Sequence, residues 1–490
     1  MAIYILYAVI AIVVLAIVGT MIKAAFWKTP VPTVEPMPEE KVDFERAQKH
    51  LSGAIQIKTI SYPDPDDVDW AEFRKFHDYL EKEFPLIHQN LSREVVSRAS
   101  LLFTWQGKNK DLEPIALLAH QDVVPISEGT HQDWNYEPFS GHNDGEFIWG
   151  RGAIDMKNHL ICVMEAVETL LEEGYQPERT VYLCFGHNEE VVAGTENGAQ
   201  ALMQTLKERG VRLDSTLDEG GAMIPVNVKG VIEGNLTGVG VAEKGYADYK
   251  ITIKAKGGHS SQPPNHTAAG RIANVVEDLE KNQFKARILP SVYELFDIVG
   301  KRCSYPVRLL MCNNRLLAPI LKKIMASIPF SAVFVRTTTA CTMLSGSPAA
   351  NVLPQNASVT VNFRELPGTS LADTEAHIRK VCRHKDIEVE FLKGKEPSKI
   401  SPTNTRAFKT IEKLALQIDN KNLVAPYLVM GGTDSYHYEE ICENIYRFAP
   451  FNLSLELLGT NHGTNERLPV NQLKQGVTFF KRYIREMSKD

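Results

Sequence analysis

The sequence predicts an α/β chain: a doubly wound mixed sheet interrupted by an inserted α+β unit and preceded by an N-terminal transmembrane helix. Three observations carry this reading. Short apolar runs, Pro114–Ala119 and Thr180–Phe185, empty into His120-Gln121-Asp122 and Gly186-His187-Asn188-Glu189-Glu190 and alternate with stretches of helical period. That is the pattern of parallel strands whose C-termini line a crevice. Asp248–Lys256 and Ala357–Arg364 alternate polar and apolar residues instead, as half-exposed strands of an antiparallel sheet do. Finally, Met1–Ile22 holds no charged side chain, and about 20 apolar residues are enough to span a bilayer as a helix.

With 490 residues, 43% hydrophobic and 23% charged, the composition is that of an ordinary globular protein, which excludes disordered and collagen-like classes. The length suits two or three domains of about 150 residues each. A formal net charge of -6 gives no reason to expect nucleic acid or an anionic membrane surface as partner. The seven cysteines lack any C-x-x-C pair, so they form neither a disulfide framework nor a thiolate metal site. Cys162, Cys184 and Cys341 lie in apolar runs and read as small buried hydrophobes.

Residues 1–28 are taken as the membrane anchor and its flank. A cleaved signal peptide would show a basic n-region and a small-residue cleavage site; neither is clear, so a retained single-pass anchor is expected. Lys23 and Lys28 argue that the side following the span is cytoplasmic. Sequons at Asn90, Asn235, Asn265, Asn356 and Asn452 suit a lumen instead, so the side stays open. Residues 29–42, with Pro30, Pro32, Pro36 and Pro38, form a stiff tether.

The catalytic domain is expected over 43–243 and again over 395–490, with 244–394 inserted. Its first part opens with helices near Asp43–Ser52 and Asp69–Phe84 and a strand at Ser100–Trp105. Gly107–Lys110 reads as a hairpin turn into the Pro114 strand. Helices over Lys157–Glu173 and Asn197–Arg209 end at Gly174 and Gly210, and Val181–Phe185 and Ser215–Leu217 are short strands. In the inserted unit, helices are expected at Thr267–Asn282 and Asp373–Arg383, while Phe284–Arg336 reads as apolar and irregular.

Taken singly, the candidate site residues are bland. His120 and Asp122 stand two apart at a strand end, which puts both on one face, and a carboxylate there can accept the second N–H of a metal-binding imidazole. Asp155 could be a loop acid, Glu189-Glu190 a solvated pair, Asp218 a cap for the Gly220-Gly221 turn. His462, after the apolar run Leu453–Leu458, could be a loop histidine. Together they form five groups of the right type, each expected just beyond a strand, where open α/β sheets line up such positions along one crevice. Carboxylates converging without cations repel one another and desolvate badly. A pair of divalent ions about 3.5–4 Å apart resolves this and permits hydrolysis at neutral pH.

The H-x-D, the Gly150-Arg-Gly-Ala-Ile-Asp155-Met-Lys157 stretch, the Glu189-Glu190 pair, the later Asp218 and the late His462-Gly463 resemble the M20 family of metallopeptidases. Within it, the chain is most similar to the carboxypeptidase S and N-fatty-acyl amino acid hydrolase branch, over about residues 43–485. The resemblance implies a zinc-peptidase-like catalytic domain with an inserted lid and dimerisation domain. It implies two Zn2+ ions, replaceable by Co2+ or Mn2+: Asp155 bridging, His120 and Asp218 on one ion, Glu190 and His462 on the other. Glu219, next to Asp218, is the alternative ligand. Glu189 becomes the general base and Asp122 the partner that orients His120.

By the same resemblance His259, in Gly257-Gly258-His259-Ser260, stabilises the oxyanion in a neighbouring subunit's site, and Asn351, Arg364 and Gly432 hold the substrate. Arg364 would take a free carboxylate through its planar fork. In Gly431-Gly-Thr-Asp434-Ser-Tyr436 the chain departs from the family, because many members have Arg where Tyr436 stands. The expected substrate is an N-acyl amino acid or a small peptide, and the expected assembly a homodimer. A catalytically inactive membrane-anchored binding protein is the alternative. A serine hydrolase is disfavoured because no G-x-S-x-G elbow occurs.

Overall fold

The computed structural model describes residues 1–191 and 196–489. Two sheets organise it. In the nine-stranded sheet the spatial order is Ser92–Val96, Ser100–Trp105, Val181–Gly186, Ile115–His120, Ser215–Asp218, Ile445–Arg447, Ile232–Glu243 and Asn422–Val429, with Met223–Val228 hairpinned onto Ile232–Glu243. Its centre, from Val181–Gly186 to Ile445–Arg447, is parallel. The C-terminal ends Gly186, His120 and Asp218 therefore open on the same edge, where α/β sheets bind ligands. Ile115–His120 and Val181–Gly186 are buried on both faces, which is why they read as continuous apolar runs.

The helices cover this sheet for the reasons their sequences give. Asp69 accepts the Ala71 N–H and starts Trp70–Glu83, which buries Phe73, Phe76 and Leu80. Asn197 caps Gly198–Glu208 through the Gln200 N–H. Lys157–Glu172 is buried nearly throughout and packs against the C-terminal helix Asn471–Met487. Their approach is close: a Cβ on Gly476 would meet Cys162 Sγ at 2.7 Å, so only glycine fits at that crossing.

The second sheet is antiparallel, ordered Thr338–Ser345, Asn356–Arg364, Tyr246–Lys254 and Glu388–Lys395. Helices Ala268–Lys281 and Leu371–Val381 close one face over Ile251, Ile253, Val359 and Val361. The chain leaves the first sheet at Glu243 and enters the second at Tyr246.

Three expectations are corrected. Gly107–Lys110 is not a hairpin turn, because Trp105 and Ile115 both pair with Val181, whose strand lies between theirs. The segment 284–336 is not irregular: it holds helices Pro290–Gly300, Tyr305–Met311, Ala318–Ser327 and Pro329–Ala332. Each has proline in its first turn, a start signal easily misread as a breaker. The run before His462 is the short helix Leu455–Leu458 rather than a strand. All seven cysteines are free.

Candidate metal centre

His120 ends its strand fully buried. Its Nδ1 faces the Asp122 carbonyl at 2.9 Å and the Asp122 carboxylate at 3.4 Å, which leaves Nε2 aimed outward. Asp122 does more than back the ring. It accepts the backbone N–H groups of Glu189 (3.1 Å) and Glu190 (3.2 Å) and the Ser61 hydroxyl (2.5 Å), so one carboxylate positions two neighbouring strand ends. Burial opposes its charge, but the His120 and Ser61 bonds outweigh that and hold it below the ordinary carboxylate range.

Asp155 lies between two imidazoles. Its Oδ1 is 3.1 Å from His120 Nε2 and its Oδ2 3.2 Å from His462 Nε2. The same nitrogens have one further acid each: Glu219 at 3.3 Å from His120 and Glu190 at 3.0 Å from His462. The backbone around Asp155 is fixed by Glu466, which takes the N–H groups of Ile154 and Asp155 and pairs with buried Arg151 at 2.6 Å. His462 sits in that same distal loop with φ +58. Glu466 thus ties the loop bearing His462 to the turn bearing Asp155, a link the spacing of the motifs did not reveal.

Asp218 and Glu219 divide their work. Asp218 is buried and accepts the N–H groups of Glu219 (2.9 Å) and Ser435 (2.8 Å), whereas the Glu219 side chain, and not that of Asp218, reaches His120. Donor atoms of His120, Asp155 and Glu190, and of His120, Glu189 and Glu219, lie within 4.8 Å of one another in each set. Asp434, unassigned on sequence, also belongs here. A Cβ on Gly186 would meet its Oδ2 at 2.1 Å, and that buried oxygen has no hydrogen-bond partner among the described residues. The glycine at the strand end was the available signal.

The charges explain what the centre needs. Burial pushes Glu219 up to about 8, with Asp155 adding to it. Burial also drives Glu189 and Asp434 well above the usual range. His462, hydrogen-bonded to Asp155 and Glu190, is raised to about 10. Burial resists charge on His120, but Asp122, Asp155 and Glu219 overcome it and raise its pKa. Protons on the imidazoles offset the acids; divalent cations would do the same with the imidazoles neutral. The donors fit such ions in type, and nitrogen–oxygen gaps of 3.0–3.3 Å match the edge of a tetrahedral zinc shell, about 3.3 Å for ligands about 2.0–2.1 Å away.

The remaining expected residues lie elsewhere. His259 is exposed in a two-stranded ribbon opposite Val352, with its Nδ1 accepting the Ser261 N–H, and Asn351 adjoins it through the Ser260 N–H. Neither touches the acids among the described residues. Arg364 stacks on the Tyr246 ring at 4.6 Å. Gly432 lies against Lys395, whose Nζ would be 2.6 Å from a Cβ there and stands 4.4 Å from the centroid of the Tyr436 ring. Lys395 also pairs with buried Glu243 at 3.1 Å, as does Arg447 at 2.7 Å. A cation from a different strand therefore stands beside Tyr436, which sequence reading did not find.

A mixed α/β sheet whose C-terminal strand edge and neighbouring loops gather two imidazoles and several carboxylates about Asp155 has the make-up of a metal-dependent hydrolase. Residues 116–486 match the profile of peptidase family M20/M25/M40, and the chain belongs to that family as a hydrolase of the metallopeptidase type. It is 36% identical over 454 residues to the probable carboxypeptidase S-like 2 of Dictyostelium discoideum, covering 91% of this chain and 86% of that protein. It is 33% identical over 458 residues to the N-fatty-acyl-amino acid synthase/hydrolase PM20D1 of Mus musculus, covering 91% and 88%. Among solved structures, the M20 family metallo-carboxypeptidase Sso-CP2 of Sulfolobus solfataricus shares the fold with a TM-score of 0.66 at 15% identity, over 90% of this chain and 99% of that one.

Proposed function

We propose that the protein is a dinuclear zinc hydrolase that cleaves the amide of an N-acyl amino acid or the C-terminal peptide bond of a small peptide. The observation that carries this is Asp155 offering separate oxygens to His120 and His462, the disposition of a bridging ligand. Each histidine has a further acid, so His120 and Glu219 would hold one ion and His462 and Glu190 the other. Co2+ or Mn2+ could replace zinc at such nitrogen and oxygen donors. When bound, the ions supply the Lewis acidity that brings a water near neutrality and polarises the scissile carbonyl.

The chain's own residues do the rest. Glu189, half-buried in the donor set with His120 and Glu219, takes a proton from the attacking water and returns it to the leaving nitrogen. Asp122 keeps His120 in one tautomer and fixes the Glu189 backbone. Lys395, with Arg364, offers the positive charge that a substrate carboxylate requires where Tyr436 stands. The four-stranded unit acts as lid and dimer contact, with His259 and Asn351 presented to a partner's site. The N-terminal helix, Ile3–Phe26, anchors the chain in a membrane.

The test is direct. Purified protein should carry close to two zinc ions, lose activity to a chelator and regain it with zinc. Glu189→Gln should lower kcat by about 10²–10⁴-fold with metal content unchanged. An active metal-free preparation, or a Glu189→Gln variant that turns over normally, would overturn the reading.

A further inference from the structure

The helical segment 284–336 carries two features that the hydrolase reading leaves unused. First, Ala318–Ser327 has two adjacent apolar rows at four-residue spacing. Leu317, Leu321 and Met325 pack onto Leu289, Val292, Phe296 and Leu428. One position earlier in register, Leu316 is 68% exposed, Ile320 54%, Ile324 44% and Ile328 49%, and Phe330 beyond them is 74% exposed. Isolated exposed apolar residues are ordinary, but a continuous row is not. Second, residues 298–336 contain seven basic side chains (Lys301, Arg302, Arg308, Arg315, Lys322, Lys323 and Arg336) and no acid, in a chain whose net charge is -6. Among the described residues only Arg315 of these finds a carboxylate, Asp297 at 3.1 Å.

The N-terminal helix leaves its apolar span directly onto this segment. Ala24 is fully buried there, Tyr305 donates to the Met21 carbonyl at 3.1 Å, Lys23 donates to the Cys312 carbonyl, and Trp27 packs on Gly300 and under Lys301. Trp, Tyr and Lys gathered at the end of an apolar span are the side chains that settle at a membrane interface. An apolar row flanked by lysines is the make-up of a helix lying in that interface.

We propose that segment 298–336 docks on an anionic lipid surface, with Leu316, Ile320, Ile324, Ile328 and Phe330 entering the interface and Lys301, Lys322 and Lys323 meeting the headgroups. The chain is then held at two points, and the body is oriented on the bilayer instead of swinging from its tether. The inference rests on the anchor reading of the N-terminal helix, and the test separates the two.

The full-length chain is placed in vesicles of phosphatidylcholine with phosphatidylserine, carrying an environment-sensitive fluorophore at Ile324→Cys. Parallel samples are labelled at Leu15→Cys in the N-terminal helix and at exposed Lys110→Cys. Both the Ile324 and Leu15 probes should shift to the blue and be quenched by a spin-labelled lipid, and the Lys110 probe should not. Omitting phosphatidylserine should weaken docking of the Ile324 probe about fivefold for each lysine in contact. A quenched Leu15 probe with an Ile324 probe in water overturns the docking and keeps the anchor. The reverse pattern overturns the anchor and keeps the docking. An Ile324 probe shielded in proportion to protein concentration but unreached by the lipid quencher means that a second copy covers the row, and overturns the proposal.

Discussion

The Asp122 carboxylate stands 3.4 Å from Nδ1 of His120, on the side of the ring away from Asp155 and Glu219. It also receives the N–H groups of Glu189 and Glu190, so its charge both orients the imidazole and sets the next strand end. Asp122→Asn should lower metal affinity about 10–100-fold and reduce kcat/KM more than saturating zinc restores. Metal titration followed by kinetics at saturation checks this, and full rescue by zinc would confine Asp122 to the ligand side.

Glu219 and Asp218 are neighbours whose side chains face different partners, Glu219 the His120 ring and Asp218 the backbone N–H groups of Glu219 and Ser435. Glu219→Gln should bring bound zinc toward one ion per chain with little loss of Tm. Asp218→Asn should keep both ions while costing about 1–3 kcal/mol of stability, because buried N–H groups lose part of their acceptor. Metal analysis of both variants beside thermal melts decides the matter; zinc lost from Asp218→Asn and not from Glu219→Gln would reverse the assignment.

Lys395 is expected to act on binding. Lys395→Met should raise KM for substrates with a free carboxylate about tenfold, the worth of one hydrogen bond to a charged group, and leave kcat nearly unchanged. A blocked, carboxylate-free analogue should be indifferent to the substitution. Equal losses on both substrates would point to disturbance of Glu243 and Arg447 instead.

His159 is buried against Phe480 at 4.7 Å, and burial lowers its pKa from 6.5 to about 3, with His120 adding a little. In the unfolded chain the ring takes a proton near 6.5, so between about 6.5 and 3 the unfolded state binds more protons and stability falls as the pH drops. The slope from this residue reaches about 1.4 kcal/mol per pH unit. His159→Phe should flatten acid denaturation over that window; an unchanged slope would remove the residue from the account.

Much of the nine-stranded sheet and its helices is legible in the sequence alone. The apolar runs ending at His120 and Gly186, and the helical period of Lys157–Glu172, needed only local pattern, because strands buried on both faces and helices between them announce themselves by period. The acid-free basic run 298–336 stands equally plainly in the sequence, but a whole-chain charge of -6 masks it. The long strand Ile232–Glu243 went unread, since glycines at 234, 238 and 240 weaken the strand signal while packing demands them.

By itself, then, the sequence determined which side chains are available for chemistry and, for His120, Glu189 and Asp218, the strand ends they stand on or follow, because period and residue type are local properties. Only the tertiary structure decided between neighbours: Glu219 over Asp218 toward His120, Lys395 beside Tyr436, Glu466 beneath Asp155, Asp434 against Gly186. Each of those choices depends on how distant strands approach and which buried polar groups find partners there, and no spacing along the chain contains that distance.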